Sequence, residues 1–238
     1  MNKLVIDIET VGKNMDDFDK ISKDYFSHWA ENAASNEKEI EAELKKVEDS
    51  LGLSPLTAEI ACIGILNPDT DKGKVYYQDL KEKDKKFEDK GIEFEAMTEK
   101  DMLTKFWDDV DHYEEFITFN GRGFDIPFLM IRSAIHKIKP TKNLLSNRYL
   151  NSQFRGAKHI DLLDQLQFYG ATWGKRGYSL HMFCQAFGIE SPKDEGVSGG
   201  HVKEMFAEGR YEDIARYNVD DLYATAKLYN YWNEYINI

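Results

Sequence analysis

The 238-residue chain has little cysteine, no surplus of positive charge and no long apolar run. Cys62 and Cys184 are too few for a disulfide framework and lack metal-site spacing, so both read as reduced core thiols in a cytoplasmic protein. The formal net charge is −12, which excludes nucleic-acid binding driven by bulk charge. No apolar stretch approaches membrane-spanning length, and the opening MNKLVIDIET lacks the apolar core of a signal peptide, so no membrane association is expected. Internal repeats and low-complexity tracts are also missing. Core-forming material is plentiful: 42% of residues are hydrophobic, with 14 Phe, 13 Tyr and 4 Trp. One domain over residues 1–238 is expected.

Lys3–Ile8 reads as a buried strand, with Leu4, Ile6 and Ile8 on one face and Val5, Asp7 and Glu9 on the other. Residues 13–50 are acidic and helical, with Ile40, Leu44, Val47 and Leu51 at helical spacing, and read as an insertion without chemistry of its own. Two strands, Glu59–Leu66 and Lys74–Gln78, are joined by a hairpin-length turn, PDTDKG. Residues 80–90 are charge-dense and read as a solvated loop. Residues 97–110 predict an amphipathic helix, Phe116–Phe119 a short buried strand, and Asp125-Ile-Pro a helix start with proline in the first turn. Ile160–Leu166 fits a strand or a helix start. From Tyr178 the pattern is helical, ending in a long helix over about Tyr211–Trp232. The order predicts an α/β fold with a central mixed sheet flanked by helices and a helical insertion after the first strand.

Asp7 and Glu9 end the strand with two carboxylates on one face. A pair of metal ions about 3.5–4 Å apart can clamp a phosphodiester. Hard ions such as Mg²⁺ and Mn²⁺ prefer carboxylate oxygens, and two ions need three or four such groups. Asp125, in FNGRGFDIPFL, follows a buried strand at a point where two glycines let the chain turn sharply. Asp221, in YNVDD, lies four residues after Tyr217 and on the same helix face, where a phenol can hold an attacking water. Each also has a plainer reading taken singly: a strand end in solvent, a helix N-cap, a surface pair. Asp220 faces about a hundred degrees away from Asp221 and reads as a solvated acid.

The segments VIDIET, NGRGFD and YNVDD resemble, in order, the three motifs of the 3′–5′ exonucleases that carry four acids and a tyrosine. The similarity is greatest to the exonuclease domain of family-B DNA polymerases and its stand-alone relatives. SLHMFCQAFGIESPK (179–193), followed by Gly199, Gly200 and Val202, is similar to the region those relatives carry before the third motif. The resemblance runs from Lys3 to about Trp232, apart from residues 13–50. It implies a ribonuclease H-like fold and two divalent ions, Mg²⁺ or Mn²⁺, on Asp7, Glu9, Asp125 and Asp221. It also implies a water oriented by Tyr217 and removal of nucleotides from a 3′ end. Asn120 and Phe124 would contact the terminal nucleotides, and the backbone at Thr10 and Val11 the terminal sugar. A sister group uses histidine in place of the tyrosine. His159 and Asp164 fit its spacing, but they follow Asp125 too closely for a helix and a strand to intervene, and HIDLLD suits the intervening strand instead. His28, His112, His136, His181 and His201 show no metal spacing.

A polyanion needs a local path across so acidic a chain. Residues 136–176 hold eight lysines and arginines against Asp161 and Asp164, interleaved with Tyr149, Phe154 and Trp173. Cations along a backbone with aromatics for bases suit a single strand, so Lys142, Arg148 and Arg155 are expected to bind substrate. The alternative is a solvated basic loop. The expected partner is nucleic acid with a free 3′ end, preferably single-stranded DNA. Three other readings stand beside it: an enzyme trimming RNA or short oligonucleotides, a non-catalytic binding module, and an interaction protein whose insertion recruits a replication or repair partner.

Overall fold

The computed structural model describes residues 2–79, 81–154, 156–172, 178–190 and 201–238. The chain opens with β1 (Lys3–Gly12), then α1 (Lys20–Ala33) and α2 (Ile40–Ser50). Four strands follow: β2 (Ala58–Asn67), β3 (Lys72–Gln78), β4 (Lys86–Asp89) and β5 (Ile92–Met97). Next come α3 (Glu99–Val110), β6 (Glu115–Thr118), α4 (Asp125–Ile135) and β7 (Lys158–Asp161). The remaining helices are α5 (Leu162–Leu166), α6 (Leu180–Phe187), α7 (Val202–Ala207) and α8 (Tyr211–Tyr235).

The strands form one mixed sheet in the order β4-β5-β3-β2-β1-β6-β7. β1 pairs antiparallel with β2 and parallel with β6, so the first strand lies inside the sheet. β2, AEIACIGILN, is apolar on both faces because helices cover both. On one face Leu4, Ile6 and Ile8 pack with Phe106 and Trp107 of α3 and Leu129 of α4. On the other, Val5, Cys62 and Leu66 pack with Ile214, Leu222 and Trp232 of α8.

Residues 13–50 are helical, as the periodicity predicts, and carry a small core of their own from Phe26, Ala30, Val47 and Leu51. Ile21, Tyr25 and Trp29 stay exposed along α1. The insertion is rooted against β1, where a Cβ on Gly12 would lie 2.8 Å from the Gly52 nitrogen. The stretch 80–90 departs from the loop expected of it. β4 pairs antiparallel with β5 there, and Phe87 stacks on Phe94 at 4.5 Å. An edge strand shows one face to water, so Lys86 and Glu88 are no obstacle to pairing. Ile160–Leu166 is divided, its start in β7 and its end in α5.

β1 is longer than Lys3–Ile8 and carries a bulge in its pairing. Glu9 stands opposite Cys62 and Thr10 opposite Ile60, leaving Ala61 as the extra residue on β2. Ile60 lies past the last β2–β3 pair, Cys62 with Tyr77, so its peptide groups need other partners. Its N–H donates to Glu99 Oε1 at 2.8 Å, and its carbonyl accepts from Gln78 Nε2 at 2.7 Å. Glu99 is buried and also accepts from Arg132 Nε and Nη2, at 2.8 and 2.6 Å, and lies 2.6 Å from His136 Nε2. Burial alone would raise the Glu99 carboxyl, but Arg132, the Ile60 N–H and His136 together hold it below its usual range.

Glu99→Ala leaves Arg132 buried without its anion and is expected to cost roughly 3–5 kcal/mol in urea unfolding at pH 7. Because the folded carboxyl titrates low, the gap between wild type and variant should narrow as pH falls below about 4. A loss under about 1 kcal/mol at neutral pH would contradict this role for the network.

Candidate active site

β1 outruns β6: their last pair is Val5 with Ile117, so β1 groups beyond that point need partners other than a strand. Asp125, the first residue of α4, supplies one, its Oδ1 accepting the Ile8 N–H at 3.1 Å. The turn that brings Asp125 there is held from β7. Asp161 Oδ1 accepts the Asn120 N–H and Oδ2 the Arg122 N–H, each at 2.9 Å. Asn120 has φ 62°, a left-handed conformation that asparagine tolerates better than most residues. Gly121 is required by space, since a Cβ there would lie 2.4 Å from Thr118 Oγ1.

Strand alternation puts Asp7 and Glu9 on the sheet face covered by α8, and α8 returns Asp221 to them. Carboxylate oxygens of Asp7, Glu9 and Asp221 lie within 4.8 Å of one another. Asp125 stands close enough for its charge to act on both Asp7 and Glu9. Burial, then Asp125, Asp221 and Glu9, raise the Asp7 carboxyl well above its ordinary value, while a hydrogen bond from Asn218 pulls the other way. Burial, Asp221 and Asp125 raise Glu9 in the same manner. Asp125 is pushed up to about 7, chiefly by burial, with Asp161 and Asp221 adding to it against the backbone N–H groups. The result is a compact oxygen-only donor set whose members oppose each other's ionisation. Such a set fits a hard divalent cation such as Mg²⁺ or Mn²⁺.

Tyr217, one helical turn before Asp221, shares a hydrogen bond with it. Burial, then Asp221, Glu9 and Asp7, push the phenol's ionisation far above neutrality, so it remains an O–H group. Asn218, between them in sequence, is fully buried, and its Nδ2 donates to Asp7 Oδ2 at 2.7 Å. Its Oδ1 finds no donor among the described residues, an omission that ordinarily costs about 1–3 kcal/mol. Sequence reasoning passes over Asn218 and Asp161. The signal for Asn218 is a polar residue inside the apolar stripe of Ala215, Leu222 and Tyr229.

The residues expected to bind substrate fall into different settings. Thr10 and Val11 directly follow Glu9 on β1, the Thr10 hydroxyl donating to Gly52 O at 2.7 Å. Asn120 is exposed on the turn, and Phe124 is half-buried with its ring 5.5 Å from that of Phe128. Lys142 is engaged at the far end of β6. Its ammonium donates to the carbonyls of Val110, Asp111 and Tyr113, at the end of β6 opposite to the turn that carries Asp125. It closes the C-terminus of α3. Arg148 is engaged in a two-point ion pair with Asp164. Arg155, Trp173, Lys175, Arg176, Gly199 and Gly200 lie outside the described residues. His159 is a buried core group between Thr118 Oγ1 at 2.9 Å and Leu144 O at 2.8 Å, and burial lowers it to about 4.

Residues 74–235 match the model of a family described as predicted 3′-5′ exonuclease related to the exonuclease domain of PolB. DNA polymerase 1 of Sulfolobus acidocaldarius is 23% identical over 244 residues, covering 97% of this chain and 27% of the polymerase. The family B DNA polymerase of Pyrobaculum calidifontis superimposes with a TM-score of 0.57 at 14% identity, over 98% of this chain and 24% of that one. The chain thus spans about a quarter of the length of either polymerase. The structural likeness establishes the fold, an α/β mixed sheet of the ribonuclease H-like kind. Among the described residues no helix is long and apolar enough to cross a membrane.

The crowded acids have a consequence for stability. Asp125 titrates higher when folded than its ordinary 3.8, so its ionisation opposes folding, and the penalty grows as pH rises from about 4 through 7. Asp125→Asn keeps an oxygen for the Ile8 N–H and removes the charge. In EDTA at pH 8 the variant should be more stable than wild type by a few kcal/mol, the difference vanishing near pH 4. Equal unfolding midpoints at pH 8 would contradict the crowding.

Proposed function

This chain belongs to the family of predicted 3′-5′ exonucleases related to the exonuclease domain of PolB, and on that premise we propose that it hydrolyses the terminal phosphodiester at the 3′ end of single-stranded DNA. The products are a nucleoside 5′-monophosphate and a strand shortened by one nucleotide. The observation that carries the proposal is the meeting of Asp7, Glu9 and Asp221 within 4.8 Å, with Asp125 beside them.

Held by these four side chains, two Mg²⁺ or Mn²⁺ ions would supply the charge that activates water and stabilises the leaving oxygen. Tyr217, kept as a phenol, orients the attacking water by hydrogen bonding and does not take its proton. The water oxygen bonds to phosphorus as the P–O3′ bond opens, its proton passes to solvent, and the 3′ oxygen of the shortened strand takes a proton from solvent and leaves as a hydroxyl. Asn120 and Phe124 stand on the turn that ends in Asp125, suited to the terminal nucleotide. Thr10 and Val11, next to Glu9, are suited to its sugar. An unpaired base can stack on the Phe124 ring, which favours a single strand over a duplex end. With a net charge of −12, the chain draws phosphate through cations bound at the acids and not through its own surface.

The test is digestion of 5′-labelled oligonucleotides, single- and double-stranded, DNA and RNA, with Mg²⁺, with Mn²⁺ and with EDTA. Stepwise shortening of single-stranded DNA from its 3′ end is expected, lost in EDTA and lost in Asp7→Ala while the circular dichroism of the variant stays native. Unchanged digestion by Asp7→Ala would overturn the proposal, and preference for RNA would overturn its substrate.

A further inference from the structure

Asn218 is buried completely within the apolar stripe of α8, yet only half of its amide is satisfied. Nδ2 donates to Asp7 Oδ2 at 2.7 Å, and Oδ1 meets no donor among the described residues. The space it occupies exists because residue 64 is glycine. A Cβ at Gly64 would lie 1.8 Å from Asn218 Oδ1 and 2.7 Å from Leu222 Cδ1. Gly64 stands directly opposite Asp7 on β2, in the middle of a central strand where glycine is unfavourable. Two departures from good packing, an amide oxygen without a protein donor among the described residues and a strand glycine, therefore converge on one hydrogen bond to one carboxylate.

We propose that Asn218, admitted by Gly64, is a positioning residue that fixes the Asp7 carboxylate for metal binding. By engaging Oδ2 it sets the side-chain rotamer and leaves Oδ1 available to a cation. The amide is held with its N–H₂ toward Asp7, because the opposite orientation would set a carbonyl oxygen against the carboxylate. Partners of metal-binding carboxylates typically change metal affinity or activity by about 10–100-fold when removed. The inference rests on the reading of Asp7 as a metal ligand given above.

The test uses Mn²⁺ as the probe, its binding followed by electron paramagnetic resonance, together with thermal unfolding in EDTA. Asn218→Leu keeps the branched shape and heavy-atom number of the side chain and removes both polar atoms. It should bind Mn²⁺ roughly 10–100-fold more weakly while still unfolding cooperatively in EDTA. Asn218→Ser, too short to reach Asp7, should share the metal defect, and so should Gly64→Ala, which displaces the amide. In digestion assays the variants should need more Mn²⁺ for half-maximal rate and recover toward wild type at saturation. Wild-type Mn²⁺ affinity in both Asn218 variants would overturn the inference and leave the site intact. Loss of cooperative unfolding in both Asn218 variants would also overturn it, making Asn218 a structural residue. Absence of Mn²⁺ binding by wild type, identical to Asp7→Ala, would remove the site and the inference together.

Discussion

Carboxylates repel one another, and three of them here share a space within 4.8 Å, with a fourth alongside. Much of the surrounding architecture can be understood as what is needed to bring these groups together and keep them there. Sheet packing supplies the larger part of the opposing force. β1 is paired with β2 along its length and with β6 up to Val5, and is covered on both faces by helices, so Asp7 and Glu9 cannot swing away without disturbing a buried strand. Backbone N–H groups supply a smaller part, through Ile8 to Asp125 and through Asn120 and Arg122 to Asp161.

The same economy appears wherever regular pairing stops. Where β6 ends, a carboxylate takes the β1 N–H that a strand would have taken. Where β3 ends, Glu99 and Gln78 take the two peptide groups of Ile60. In both places the side chain that completes the ladder also fixes a piece of the site: the approach of α4 in one, the bulge that follows Glu9 in the other. Fold and site are built here from the same unsatisfied peptide groups.

Local periodicities were legible in the amino-acid order. Alternation along VIDIET puts Asp7 and Glu9 on one face, and the four-residue spacing in YNVDD puts Tyr217 beside Asp221. The β2–β3 hairpin and α3 are equally local and equally readable. Other features depend on partners that no local pattern reveals. β4 hides in a charged stretch because an edge strand tolerates charge on its wet face, and only Phe87, stacked on Phe94, betrays it. Lys142 adds to a count of local positive charge, but three carbonyls at the end of α3 decide what that charge does. Asn218 is conspicuous as a polar residue in an apolar stripe, whereas its partner lies 211 residues away.

That last separation bears on how the protein comes into being. Asp7 is translated 211 residues before Asn218, whose neighbours Tyr217 and Asp221 come with it. A ribosome still translating α8 therefore carries a polypeptide in which the sheet can already form but the acids of β1 face an uncovered slot. The three-carboxylate cluster is complete only once α8 docks, so a chain cut short before α8 lacks it.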